Sequence, residues 1–366
     1  MSLIYNATFD SQTRVLSLLD KAGNVISSCE VTSKGVPLTL TATADNSSVK
    51  LTKHGTVYNT YDVDTGSGWV PYMFDTVINL NAGQSCKWRC LEHPTTQNTS
   101  NYVKFVMTGT IEASGNCNSM LSMVFKNLTS LYEYDYAFYN LFYGCDVLTK
   151  APELPATILA TSCYHNMFVY CSSLTIAPEL SATTLASECY NSMFFGCSSL
   201  TIAPELPATN LEHAPRCYSL MFAECTALTQ APNLPATTLA LACYDVMFRN
   251  CTSLRRAPEL PATTLAVNCY TDMFKGCSAL TRAPELPAIT LVDRCYLEMF
   301  DGCTSLNEIR VSATDISADR CTLSWLQNVS STGDFYCNPN TAWTADSVSG
   351  IPSGWRRLNL ADYPQT

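Results

Sequence analysis

Residues 257–282 read APELPATTLAVNCYTDMFKGCSALTR, and this stretch is one of six consecutive copies. They share the consensus A-P-E-L-P-A-T-T-L-A-x-x-C-Y-x-x-M-F-x-G-C-S-S-L-T-x, and the third carries a two-residue insertion near Glu212–Pro215. Such fixed spacing is typical of a solenoid, in which each unit buries its core only by stacking on its neighbours. The copies are Ala151–Ile176, Ala177–Ile202, Ala203–Gln230, Ala231–Arg256, Ala257–Arg282 and Ala283–Glu308, with a half-copy at Ala137–Lys150 and a decayed copy at Ile309–Asp334.

The pattern within one copy predicts a helix followed by a short strand. Thr263 or Thr264 is a suitable helix N-cap, and Gly276 stands where a left-handed residue would end that helix. Ser278–Thr281 is a short extended run, and the prolines that follow prevent it from growing. The predicted helix has one apolar stripe, formed by Leu265, Cys269, Tyr270, Met273 and Phe274.

These repeats resemble the BspA-like leucine-rich repeat proteins of Bacteroidetes and their phages, in particular units reading APELPATTLAxxCYxxMFxGCTSLT. The resemblance covers about Ala137 to Asp334 and departs at Ser181, at the insertion, and where Asn250 and Glu224 replace glycine. It implies a leucine-rich-repeat solenoid, surface display and adhesion. Tyrosines of the repeat, such as Tyr244 and Tyr270, are interpreted as packing residues rather than ligand platforms.

Upstream of the repeats, strand-like runs alternate with turn signals. The predicted fold class is therefore α+β: an N-terminal β meander and a small β-sandwich, followed by a right-handed leucine-rich-repeat solenoid of 26-residue strand-helix coils. The domains would be 1–35 (meander, for anchoring or oligomerisation), 36–113 (sandwich), 114–336 (solenoid) and 337–366 (C-terminal cap). The runs are Leu3–Phe9, Val15–Leu19, Val25–Val31, Leu38–Ala44, Ser48–Lys53, Asn59–Val63, Gly68–Met73, Thr76–Leu80, Ser85–Cys90 and Asn101–Thr110.

The chain has 19 cysteines, most of them in two columns eight residues apart, such as Cys269 and Cys277. On a helix these two would lie about 12 Å apart, beyond the roughly 7 Å limit for a disulfide. Equivalent cysteines of neighbouring copies would approach to about 5 Å, which leaves bridges between copies open. The favoured interpretation is a ladder of buried free thiols.

Composition and motifs exclude several classes of function. A formal net charge of -10 argues against a nucleic-acid partner. The longest charge-free stretch, Leu154–Pro178, is interrupted by proline, histidine and many hydroxyl residues, so no membrane span is predicted. The chain has no H-E-x-x-H, no G-x-S-x-G and no glycine-rich phosphate loop after a strand, so we predict no enzyme and no cofactor.

Three sets of residues are candidate sites. Cys86, Cys90 and His93 have zinc-ligand spacing, but a fourth ligand is missing and the cysteines fit a core equally well. We interpret a column of glutamates as a solvated face, in which Arg256 and Arg282 are available as ion-pair partners. Its members are Glu153, Glu179, Glu205, Glu259 and Glu285, interrupted by Asn233.

The third set is the variable residue before each Ala-Pro pair, which would form one column beside the strands. It contains Lys150, Ile176, Ile202, Gln230, Arg256, Arg282 and Glu308. We predict that the polar and charged members, Lys150, Gln230, Arg256, Arg282 and Glu308, bind a ligand. The alternative interpretation is that these exposed positions vary because they are not constrained.

The favoured function is a non-enzymatic fibre or decoration protein of a phage virion that binds a bacterial surface receptor or polysaccharide. Residues 1–30 lack the basic start and apolar run of a secretory signal, which favours the virion over ordinary export. The N-terminal segment would contact other virion proteins, and a homo-oligomer is expected. The alternatives are a secreted cell-surface adhesin of a Bacteroidetes bacterium and a purely structural spacer.

Overall fold

The computed structural model describes residues 6–10, 15–19, 25–30, 35–91, 97–122, 128–346 and 348–363, with side chains from residue 35 onward. The N-terminal segment forms an antiparallel sheet in chain order, β1-β2-β3. This arrangement is a β meander. Its strands are β1 (Asn6–Asp10), β2 (Val15–Leu19) and β3 (Val25–Glu30).

The next eight strands, with β12 (Leu148–Lys150) from the repeats, form two sheets that enclose one core. Alternate residues of β9 are buried, as expected for strands with one face on a core. The Trp88 ring lies 5.1 Å from that of Phe105 on the other sheet. The strands are β4 (Leu38–Ala42), β5 (Ser47–His54), β6 (Tyr61–Asp64), β7 (Trp69–Tyr72), β8 (Ile78–Leu80), β9 (Ser85–Cys90), β10 (Tyr102–Thr108) and β11 (Ile111–Ser114). The sheet orders are β10-β5-β8 and β12-β11-β4-β9-β6-β7.

The repeats lie within the described residues 128–346, stack as coils and contain no helix. In the part of the chain that the structure describes, the helical residues are those of two short 3-10 helices outside the repeats, Cys117–Met120 and Leu360–Asp362. The expected α+β class and the strand-helix solenoid are therefore wrong. Each predicted helix is instead a ribbon of tight turns. We call it the turn ribbon; in the third coil it covers residues 214–225.

Hydrogen bonding explains why the turn ribbon exists only in a stack. An α-helix satisfies its backbone internally through bonds from each N–H to the carbonyl four residues back. In the ribbon, the Cys217 N–H donates three residues back, to the Ala214 carbonyl at 3.2 Å. The next N–H, that of Tyr218, donates instead to the Cys243 carbonyl of the following coil at 3.0 Å. This alternation repeats along the ribbon, so about half of its amide groups depend on the neighbouring coil.

Every fourth residue of the ribbon has a positive φ, which gives the side chains a period of four rather than 3.6. Two residues point inward and the next two outward, so Cys217 and Tyr218 are buried, as are Met221 and Phe222. The left-handed positions form three columns. The first holds Tyr136, Ser162, Glu188, Arg216, Ala242, Asn268, Arg294 and Arg320; the second holds Asn140, Asn166, Ser192, Leu220, Val246, Asp272, Glu298 and Ser324. The third holds Gly144, Tyr170, Gly196, Glu224, Asn250, Gly276, Gly302 and Asn328.

The inward pairs build two aromatic ladders through the stack. One begins in the sandwich, where Phe105 stacks on Phe142, and it continues through every coil to Phe300 with centroid distances of 5.3 to 5.7 Å. The other runs through the repeat tyrosines, including Tyr244 and Tyr270, which confirms that these are packing residues. The ladders make the sandwich and the coils one continuous core.

The cysteines from Cys86 to Cys337 other than Cys90 are free, buried thiols, as expected; Cys90 is also buried. The second column has a specific role, because each thiol donates to the phenylalanine carbonyl of the preceding coil. The Cys251 Sγ lies 3.1 Å from the Phe222 oxygen, which also accepts the Cys225 N–H at 3.1 Å. A small side chain with one weak donor fits this position.

A parallel sheet closes the far end of the stack, in the order β13-β14-β15-β16. Few regular strands form before it, because the Pro residues of each copy remove ladder donors. The remaining coils are joined on this side by isolated bridges, such as that between Leu154 and Leu180. The strands of the sheet are β13 (Glu285–Leu286), β14 (Glu308–Val311), β15 (Gly333–Cys337) and β16 (Trp355–Asn359).

Val246 gives the first testable prediction, since a β-branched residue there has a φ of 60°. The left-handed region costs most residues roughly 1–2 kcal/mol, and asparagine tolerates it best after glycine. Val246→Asn introduces the residue type that the same column has at Asn140 and Asn166. We expect this substitution to raise the free energy of unfolding, measured by urea titration, by about 1 kcal/mol. Val267→Asn, at an exposed valine outside the left-handed columns, should give no gain; an equal gain there would contradict the strain argument.

Candidate functional site

A groove runs between the Ala-Pro-Glu segments of adjacent coils, which we call the coil-edge groove (residues 150–155, 175–181 and 202–207). Two cavities of about 510 and 700 Å³ share the segment 176–179 and so form one channel along the stack. A third cavity of about 540 Å³ lies farther along, at residues 229–233 and 255–259. The prolines keep these segments from closing into a continuous sheet, which leaves the channel open.

The structure brings part of the predicted column to these cavities. Lys150 lines the first cavity and pairs with Ile176 in a parallel bridge. Gln230 and Arg256 line the third cavity, and Gln230 pairs with Ile202. These three predicted residues therefore face open space beside a groove.

Arg282 and Glu308 have a different environment. The Arg282 Nε lies 2.9 Å from Glu308 Oε1, and the hydroxyl of Tyr363 contacts both side chains at 2.9 Å. The hydrogen bond that Arg282 donates to Glu308 raises the pKa of the Arg282 guanidinium above its ordinary value. These two residues tie the C-terminal segment to the stack, so we assign them a structural role.

Ile176 and Ile202 are the groove residues that sequence reasoning did not select. Their side chains are 55% and 58% exposed and lie in adjacent coils, on the second cavity. The sequence contained a signal, since the same column is polar or charged in the other copies. Two neighbouring exposed isoleucines provide an apolar floor for a ligand.

The glutamate column is solvated and paired, as expected, although its partners differ from those predicted. Asn233 Nδ2 donates to Glu205 at 3.2 Å, and Arg310 lies 3.6 Å from Glu285. Glu153 and Glu179 are exposed on the rim of the coil-edge groove. These two glutamates give this end of the groove an acidic rim, whereas Arg255 and Arg256 make the third cavity basic.

Of the three residues with zinc-ligand spacing, the structure describes Cys86 and Cys90, and the described residues contain no cluster of three or more potential ligands. Cys86 and Cys90 point into the core from β9, and Trp88 Nε1 donates to Cys86 Sγ at 3.3 Å. Burial raises the pKa of the Cys86 thiol to about 12, so it is protonated at neutral pH. His93 lies outside the described residues.

Comparisons with known proteins give no match for this chain among family models, curated proteins or solved structures. Within the described residues, no helix has the length and apolar character required to cross a bilayer.

Proposed function

We propose that this protein is a non-enzymatic binding protein whose stacked coils attach to an extended polymer on a bacterial surface. The observation that carries the proposal is the coil-edge groove, an open channel along the stack with the exposed Ile176 and Ile202 on its floor. An open channel that crosses successive coils suits a long ligand better than a small molecule, which is normally held in a closed pocket.

The spacing of the coils favours a polysaccharide over a peptide. Equivalent rings of neighbouring coils lie 5.3 to 5.7 Å apart in the phenylalanine ladder. An extended peptide advances about 3.3 Å per residue and falls out of register with such a lattice. A chain of β-linked pyranose rings advances by a distance close to one coil, so successive sugars meet equivalent surfaces and weak contacts add along the chain.

The resemblance described above supports surface display, and we propose the virion of a phage that infects Bacteroidetes as the location. The sheet β1-β2-β3 would then attach the chain to other virion proteins and to copies of itself. Mass spectrometry of purified particles checks this placement against the alternative, an adhesin on the bacterial surface.

Removing the apolar floor tests the binding proposal. The double variant Ile176→Ser/Ile202→Ser removes two half-exposed apolar side chains. If a ligand buries them, together they contribute about 2 kcal/mol to the free energy of binding. We expect labelled protein to lose at least tenfold in affinity for Bacteroidetes cells in flow cytometry. Periodate treatment of the cells should abolish attachment if the receptor is a polysaccharide, and protease treatment if it is a protein.

Leu241→Ser is the matched control, because Leu241 is 45% exposed and lies outside the coil-edge groove. It should leave attachment unchanged. A spacer role is the second candidate, favoured by the two unbroken aromatic ladders, which stiffen the stack. Undiminished attachment of the double variant would defeat the groove proposal, and a lack of attachment by the unaltered protein would support the spacer.

A further inference from the structure

A surface band of aromatic side chains crosses from the sandwich onto the outward face of the first coils. The rings touch in sequence: Tyr102 meets Tyr139, Tyr139 meets His165, and in a parallel row Tyr143 meets Tyr170, which meets Phe195. We call this band the aromatic belt. Its members are His54, Tyr102, Tyr139, Tyr143, His165, Tyr170 and Phe195.

The belt differs from the interior ladders in ring geometry. Ladder rings are nearly parallel, with angles of 3° to 20° in the phenylalanine ladder, so neighbours cover both faces of each ring. The belt pairs Tyr143–Tyr170 and Tyr170–Phe195 meet edge to face at 84° and 83°. An edge-to-face contact leaves ring faces uncovered by the partner, and Tyr170 is 50% exposed.

The fold of the turn ribbon does not require these aromatic residues. The column that contains Tyr143 and Phe195 also holds the buried Val169 and Ala223, and it continues as Arg249 and Lys275 in later coils, where the ribbon has the same hydrogen bonds. The ribbon therefore does not need aromatic side chains in this column.

Gly196 fixes the position of the central ring. A Cβ on this residue would come within 2.6 Å of Tyr170 Cδ1, so only glycine lets the ring lie against the next coil. The φ of 71° at Gly196 also favours glycine. Tyr170 is thus held in place while half of its surface stays open.

Charged groups of both signs lie among the rings. The Lys104 Nζ is 5.4 Å from the centre of the Tyr143 ring. The His165 Nδ1 lies 3.4 Å from Glu188 Oε2, and Arg216 lies 3.8 Å from the same carboxylate. The centre of a protein–protein interface is depleted of lysine and glutamate, so Lys104 and Glu188 among the rings argue against a protein partner.

We propose that the aromatic belt is a second binding site, which takes pyranose rings of a polysaccharide. The apolar C–H face of each sugar would pack on an open ring face of Tyr143 or Tyr170, since aromatic rings combine apolar area with a polar edge. Lys104 and Glu188 supply charge-assisted hydrogen bonds to the sugar hydroxyls. The site uses residues outside the coil-edge groove and stands or falls separately from it.

Saturation-transfer NMR with purified hexamers of β-linked glucose, N-acetylglucosamine and mannose tests the belt. With the full chain, we expect at least one hexamer to receive saturation on its ring C–H protons. Tyr170→Leu, which keeps apolar bulk but removes the ring, should weaken that binding at least tenfold, and Tyr170→Trp should retain it.

Tyr132→Ala is the control, because Tyr132 is 77% exposed and not part of the belt; it should change nothing. The groove variant Ile176→Ser/Ile202→Ser should also keep the belt signal, so failure of the groove and failure of the belt are distinguishable. Absence of transfer to every hexamer, or equal binding by Tyr170→Leu, would overturn the proposal. Unchanged melting temperatures show that each variant is folded.

Discussion

Replacing Phe222 with alanine is expected to lower the free energy of unfolding by about 3–5 kcal/mol, the cost of removing a buried aromatic side chain from a core. Phe222 is fully buried and lies between Phe194 at 5.6 Å and Phe248 at 5.7 Å, nearly parallel to both. The deletion creates a cavity and removes ring contacts with two neighbouring coils. Those coils cannot move together to fill it, because the same ribbon also carries the hydrogen bonds between coils. Urea denaturation followed by circular dichroism measures the loss.

Phe195→Ala supplies the comparison, because Phe195 is a phenylalanine of the neighbouring coil that points outward. It is half-buried and follows the ladder residue Phe194 directly in the chain. We expect its loss to cost about 1 kcal/mol or less, as for other surface positions. Similar losses for the two variants would show that the inward and outward positions of the ribbon are not distinct, contrary to the fold described above.

The strands of the sandwich could be predicted closely from sequence. The predicted bounds of β9 agree with the structure to the residue, as do those of β2 in the N-terminal meander, and β5 differs by one residue at each end. Alternating burial and clear turn signals carry enough information for such strands. The short β11 was missed, because the last predicted run, Asn101–Thr110, ends one residue before this strand begins.

The helix prediction was wrong because two periods coincide over a short distance. Positions spaced 4, 1, 3 and 1 fit the stripe of a helix and also fit inward pairs that recur every four residues. The cysteines eight residues apart separate the two models. At about 100° per residue, Cys269 and Cys277 would face directions about 80° apart on a helix, whereas both are fully buried here. The strict recurrence of this pair in every copy favoured the four-residue period.

The candidate sites could be located only in part. The column before each Ala-Pro pair was identified correctly as a line of neighbours, but sequence alone could not show that Arg282 and Glu308 bind each other. The aromatic belt was missed for a related reason. Tyr143 and Tyr170 occupy different positions of the repeat, so the pattern does not place them together, and the sandwich residue Tyr102 has no visible link to either.

Deleting residues 231–256 is expected to leave a folded protein, because the cut removes one whole coil. It joins Gln230 to Ala257, which places Phe274 on Phe222 and keeps both the ladder and the hydrogen bonds in register. In a stack where each coil contacts only its neighbours, removing one coil lowers the free energy of unfolding by that coil's contribution. At roughly 0.05–0.15 kcal/mol per residue, that share is about 1–4 kcal/mol.

Deleting residues 231–243 instead removes half a coil and should abolish the cooperative unfolding transition of the coils that follow. The inward pair Met247–Phe248 would then face a part of the preceding coil that offers no ring, and the amides that bond to the next coil would lose their acceptors. Unsatisfied buried backbone groups cost about 1–3 kcal/mol each, so several of them exceed the stability of an ordinary domain. Thermal melts and size-exclusion chromatography compare the two deletions. The expected difference arises because backbone hydrogen bonds between coils stabilise each ribbon, and those bonds require the coils to be in register. If the half-coil deletion were folded and unfolded cooperatively, coil register would not be required for stability.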